Sequence, residues 1–70
     1  MYHMDTWTLG EQVRARRAVK GWTQKQLAGK AGLTRATVGH IEAGNDADAE
    51  TVRRVAGALG CVVVVTLRDG

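Results

Sequence analysis

Apolar residues recur at helical spacing through the middle of the chain. Leu27, Ala28 and Ala31 fall on one face, Val38 and Ile41 stand a turn apart, and Val52, Val55, Ala56 and Leu59 form a stripe. Local punctuation frames these stretches. Thr8-Leu9-Gly10-Glu11 and Thr23-Gln24-Lys25-Gln26 have the capping-box form, in which a threonine oxygen accepts from the third helical N–H and an acid or amide reaches back. Thr34, and then one of Asp46 or Asp48, supply further N-cap side chains. Gly21, Gly32, Gly44 and Gly60 stand where a left-handed residue would close each helix. Together these signals predict helices at about 9–20, 24–31, 35–43 and 48–59. The first is the weakest amphipathic pattern. It offers Leu9 and Val13 and then Arg16, Arg17 and Lys20, so its second half must bury aliphatic stems or Ala18 and Val19. Trp22, just past the Gly21 stop, is expected to cap the core between the first two helices.

After Gly60 the period changes. Cys61 to Leu67, with Val62, Val63, Val64 and Val65 in succession, is mostly β-branched and reads as a strand. An unpaired strand with apolar residues on both faces would template aggregation, and no second run of that quality exists. Pairing with its own copy across a two-fold axis satisfies the backbone and buries the valines, so a homodimer is expected. The competing arrangement adds Tyr2 to Thr8 as an edge strand, within or between subunits. Cys61 reads as a small buried hydrophobe, with nothing nearby in sequence to activate a thiolate.

Seventy residues make one small domain. A chain of this size buries only about 60% of its unfolded surface, so help from a partner, a metal or disulfides is expected. The single cysteine rules out an intrachain disulfide, and Cys61, His3 and His40 lack zinc-ligand spacing, which leaves self-association. No apolar run is long enough to span a bilayer and the first residues have no leader character, so a soluble cytoplasmic protein is expected. Paired carboxylates, a metal set and an activated nucleophile are all missing; the chain is not expected to be an enzyme or to take a cofactor. The net charge of +3 is less informative than its distribution. Arg14, Arg16, Arg17, Lys20, Lys25, Lys30 and Arg35 fall in a stretch without a single acid, whereas Glu42, Asp46, Asp48 and Glu50 follow without a base. A basic stretch of this kind favours a polyanion such as nucleic acid.

Residues 23–42, TQKQLAGKAGLTRATVGHIE, read as two short helices joined by a turn at Gly32, with Ala28 small enough for close crossing. Leu27, Leu33, Val38 and Ile41 are placed to lock the pair. The stretch resembles the helix-turn-helix of the Xre and phage lambda/434 repressor family, and the likeness extends over about residues 9–60. It implies that the second helix enters the major groove of double-stranded DNA with its N-terminal residues on base edges. Thr34, Arg35, Ala36, Thr37 and His40 are then the base-reading candidates. Arg35 leads them, because a guanidinium can contact guanine O6 and N7 together, for about 1–3 kcal/mol of discrimination. Ala36 suits a thymine methyl, Thr37 a phosphate or base edge, and His40 an acceptor deeper in the groove. Gln24 resembles the family's backbone-clamping glutamine, with Thr23, Lys25, Lys30 and Arg14 or Arg16 as further phosphate candidates.

The same resemblance implies an ion pair between Arg17 and Glu42, joining the first helix to the end of the recognition helix. The C-terminus departs from many phage repressors and is similar to that of HipB-type antitoxins, whose C-terminal strands pair across the dimer. The expected fold is therefore mainly α: a four-to-five-helix lambda-repressor-like DNA-binding domain with one C-terminal β-strand pairing across a homodimer. Residues 1–8 form an N-terminal arm, 9–60 the helix-turn-helix domain and 61–70 the dimerisation strand, with Val62, Val63, Val64, Val65 and Leu67 at the interface. The expected function is a repressor reading a palindromic operator. The alternative is an antitoxin that also binds a toxin protein, although so short a chain leaves no dedicated neutralising tail.

Overall fold

A computed structural model describes residues 8–61 as four helices: α1 (Leu9–Lys20), α2 (Gln24–Ala31), α3 (Arg35–Glu42) and α4 (Ala49–Ala58). The expected strand with Val62, Val63, Val64, Val65 and Leu67, and nearly all of the N-terminal arm, lie outside the described residues. Each helix starts on a side chain that accepts from an otherwise unsatisfied backbone donor. Thr8 Oγ1 accepts from the Glu11 N–H at 3.2 Å while Glu11 Oε1 accepts from the Thr8 N–H at 3.2 Å. Thr23 and Gln26 repeat the exchange at 3.1 and 2.8 Å. Thr34 caps α3 through the Thr37 N–H, and Asp48 rather than Asp46 caps α4 through the Thr51 N–H at 2.8 Å. Each such cap stabilises its helix by about 1 kcal/mol.

The helix ends also follow one scheme. At each, a glycine with φ near +70° to +95° reverses the chain and two N–H groups fold back onto the last turn. After α1, Gly21 donates to the Ala18 carbonyl and Trp22 to that of Arg17; after α4, Gly60 donates to Gly57 and Cys61 to Ala56. This pair of hydrogen bonds requires a left-handed residue at its centre, which an L side chain adopts only with strain.

The apolar faces meet in one core of Val13, Leu27, Ala28, Val38, Ile41, Val55 and Leu59, all buried, with Trp22, Leu33, Ala47, Ala58 and Cys61 packed against it. Helix α3 packs on both α1 and α2, and α4 closes the far side of α2. The second half of α1 departs from expectation: Ala18 and Val19 are exposed, Val19 at 87%, and Leu9 is 40% exposed. The physical reason is phase. Gly10, Val13 and Arg17 repeat at three and four residues and share the inward face, whereas position 19 lies on the other side of the helix. Val52 and Ala56 are likewise only half-buried on α4.

Gly10 is where α1 comes closest to α3. A Cβ there would overlap the Ile41 carbonyl oxygen and press on the Glu42 backbone, whereas one at Gly57 in α4 would meet nothing within 4 Å. Gly10→Ala is therefore expected to lower stability by about 1–3 kcal/mol through overpacking. Gly57→Ala should raise it by about 0.5–1 kcal/mol through helix propensity. Urea midpoints of the two variants check this, and equal shifts would refute the close approach.

Candidate nucleic-acid interface

Val38 and Ile41 turn one face of α3 into the core, which leaves Arg35, Ala36 and His40 on the outside. Thr34 is exposed at the cap and Thr37 half-buried one turn on. The two threonines are not free-standing. Thr34 Oγ1 accepts from the Thr37 N–H at 3.2 Å and shares a 3.0 Å hydrogen bond with Thr37 Oγ1, so their hydroxyls hold the first turn of the helix together. Arg35 is different. Among the described residues nothing forms a hydrogen bond or ion pair with its guanidinium, which stands exposed at the N-terminal end of α3.

The end of α3 is held by a charged cluster. Arg17 Nε donates to Glu42 Oε2 at 2.7 Å and Arg17 Nη2 to Glu42 Oε1 at 2.9 Å, a two-pronged pair with side chains only 17% and 5% exposed. The third guanidinium nitrogen, Nη1, donates to the Trp22 carbonyl at 2.8 Å. Gln24 Nε2 adds a donor to Glu42 Oε1 at 3.2 Å. Burial pushes the Glu42 carboxyl up, but the hydrogen bonds from Arg17 and Gln24 and the positive charge of Arg17 and Arg14 outweigh it. They hold the group below its ordinary value of 4.5. The hydrogen bond to Glu42 raises the Arg17 guanidinium above its ordinary value despite the desolvation that opposes it.

The phosphate candidates are placed unevenly. Gln24 is half-buried, with one amide N–H committed to Glu42 and its carboxamide oxygen beside Gly39, where a Cβ would stand 3.4 Å away. The expected clamp thus faces inward in part, because a buried carboxylate draws in every donor within reach. Thr23 Oγ1 accepts from the Gln26 N–H at the α2 cap, which leaves its hydroxyl proton to donate outward. Lys25 and Arg14 are exposed, as is Arg16. Lys30 stacks over the Trp22 ring, 4.7 Å from its centroid, and Lys20 does so at 5.2 Å. Arg53 and Arg54 sit on α4, where Glu50 pairs with both at 3.0 and 3.1 Å. Sequence reasoning missed Gly10 and Lys20. A glycine in the first turn of a helix is a weak signal of close packing, and nothing local shows that Lys20 and Lys30 both reach Trp22.

Two short helices crossing at a glycine turn, the second with an exposed, basic N-terminal end, make a DNA-binding helix-turn-helix. The helix-turn-helix family HTH_3 matches residues 13–62, and the chain belongs to this Xre and lambda-repressor-like family of DNA-binding transcription regulators. None of the curated proteins compared with the chain matches it. No helix among the described residues is long and apolar enough to cross a membrane.

The depressed Glu42 group gives stability a defined pH dependence. A carboxyl with a lowered folded pKa stabilises the fold fully above the ordinary value of 4.5, and the contribution is lost as pH falls from there through the folded value. Glu42→Gln is expected to lower stability at neutral pH by about 1–3 kcal/mol, since it leaves the half-buried Arg17 without a counter-charge. It should also flatten the acid limb. Thermal melts from pH 7 to pH 2 read both effects; an unchanged acid limb would mean that Glu42 is not the group that titrates.

Proposed function

We propose that the protein is a transcriptional repressor that binds a palindromic operator as a homodimer. The observation that supports it most directly is the exposed Arg35 guanidinium, without a partner among the described residues, at the start of a helix whose opposite face and far end are both fixed. In this reading Arg35 contacts a guanine in the major groove, Ala36 and His40 flank it along the same face, and Thr34 and Thr37 add hydroxyls to base or backbone. Gln24 contributes its remaining amide N–H, and Thr23, Lys25, Lys30 and Arg14 meet phosphates on either side. Rigid placement is what makes such contacts discriminating, because a guanidinium on a mobile helix would pair with any acceptor.

Dimerisation assigns Val62, Val63, Val64, Val65 and Leu67 to a strand shared between two copies, which would set two recognition helices about 34–36 Å apart on successive major grooves. The same assembly serves the alternative, an antitoxin, which the likeness of the C-terminal segment to that of HipB-type antitoxins suggests and the shortness of the chain weighs against. A toxin would then occupy a surface away from α3, and co-purification with a second protein expressed from the same transcript separates the two readings.

Arg35→Ala is expected to leave the fold intact and to reduce discrimination between operator and competitor DNA by about 1–3 kcal/mol, read in competitive gel shifts. Unchanged sequence preference would reject the base-reading role. Deletion of residues 61–70 is expected to give monomers with weak DNA binding; a dimer of undiminished mass in sedimentation equilibrium would take the strand out of the interface.

A further inference from the structure

The first turn of α3 carries two coupled hydroxyls. Thr34 Oγ1 accepts from the Thr37 N–H at 3.2 Å and lies 3.0 Å from Thr37 Oγ1, in a second hydrogen bond for which either oxygen can be the donor. The backbone beneath them is fixed. The Thr34 carbonyl accepts from the Thr37 and Val38 N–H groups at 3.1 and 3.3 Å, and Val38 is fully buried, so the two oxygens keep a set spacing. A threonine hydroxyl has one proton and two lone pairs, and the proton rotates to suit its surroundings. Of the two hydroxyl protons in the pair, one therefore lies between the oxygens and one is left to point outward.

Two arrangements satisfy this count. If Thr37 donates, both lone pairs of Thr34 Oγ1 are filled, by the Thr37 N–H and the Thr37 hydroxyl; Thr34 then presents its proton outward and Thr37 presents an oxygen. If Thr34 donates, Thr37 presents the outward proton and Thr34 keeps one free lone pair. Exchange between the two needs only rotation of the hydroxyl hydrogens. Either way the pair offers one donor beside one acceptor, and it offers two donors only when the hydrogen bond between the threonines breaks. Base edges in the major groove differ in this respect. Guanine presents two neighbouring acceptors, N7 and O6, which suit the guanidinium of Arg35, a group with donors only. Adenine presents an acceptor, N7, beside a donor, the N6 amino group.

We propose that Thr34 and Thr37 read one adenine together, the outward hydroxyl donating to N7 and the neighbouring hydroxyl oxygen accepting from the N6 amino group, and that they discriminate against guanine at that position. The inference rests on the DNA-binding reading and deepens it: two residues count as one contact, with a preference opposite to that of Arg35. Because donor and acceptor can exchange places, the pair takes N7 and N6 in either order.

The test is repeated selection from random duplex DNA by wild type, Thr37→Val and Thr37→Ser, followed by competition between the selected duplex and its substituted forms. Thr37→Val keeps the shape of the side chain, leaves the Thr34 cap in place and removes the second hydroxyl. Wild type is expected to select an adenine whose exchange for guanine weakens binding by about 5–150-fold. Thr37→Val should lose that preference and keep the guanine read by Arg35, and Thr37→Ser, which returns the hydroxyl, should restore it. Unsubstituted purine in place of the adenine keeps N7 and lacks the amino group; it should weaken binding by wild type and not by Thr37→Val. If Thr37→Val fails to melt cooperatively, Thr37→Ala takes its place. A motif identical at every position in wild type and variant overturns the inference alone. So does a guanine at the position that depends on Thr37, which would need two outward donors, or an equal weakening on all sequences, which would mark a phosphate contact. A wild-type pool that stays random overturns the sequence-reading function itself, and this inference with it.

Discussion

The two-pronged contact between Arg17 and Glu42 is the constraint on which the rest of the site depends. Helix α3 is eight residues long, too short to persist by itself in water. Val38 and Ile41 hold it to the core, but apolar contacts are tolerant of small slides and rotations. A planar guanidinium bonded twice to one carboxylate is not, because both distances and the plane are set together. The pair joins the inner face of α1 to the last residue of α3, and Gly10 lets the two helices approach closely enough for it to form. Glu42 then takes a third donor from Gln24, so the first turn of α2 is tied to the same point. A charge buried this deeply stabilises little by itself; what it supplies is a single orientation for the helix that carries Arg35.

The charge pattern acquires a spatial meaning in the fold. The acid-free stretch spans α1, α2 and the start of α3, and all of its cations except Arg17 are exposed. Three of the four acids that follow are otherwise employed. Glu42 is buried against Arg17, Asp48 caps α4, and Glu50 pairs with Arg53 and Arg54. None of these three carboxylates forms an ion pair with the exposed cations of the first three helices, so the positive surface stays open to a polyanion. Rigid apolar packing behind it and uncompensated charge in front are the two properties a protein needs to read a duplex by position.

What was legible in the sequence was what is local. The two capping boxes, the Thr34 cap and the four left-handed glycines each involve residues within a few positions of one another, and the helix boundaries they imply agree with the structure to within one or two residues. The periodic core residues of α2 and α3 were equally plain. Contacts between helices were less so. The periodicity of α1 alone did not show that Val19 would be left in water; the inward, paired position of Arg17 was implied only by the family resemblance, and the phase follows from the close approach of α1 to α3 at Gly10. The inward turn of Gln24 depends on where Glu42 lies, and the approach of both Lys20 and Lys30 to Trp22 depends on how α1 and α2 cross. Asp46 and Asp48 were equivalent as caps until the loop after Gly44 fixed the register.

The proposed function requires the outer face of α3 to distinguish one duplex sequence from another. Repeated selection of bound fragments from a pool of random duplex DNA measures this directly, whatever the operator. A guanine-containing motif, arranged as two inverted half-sites about one helical turn apart, is expected to be enriched. A pool that stays random through successive rounds while still binding the protein would contradict it.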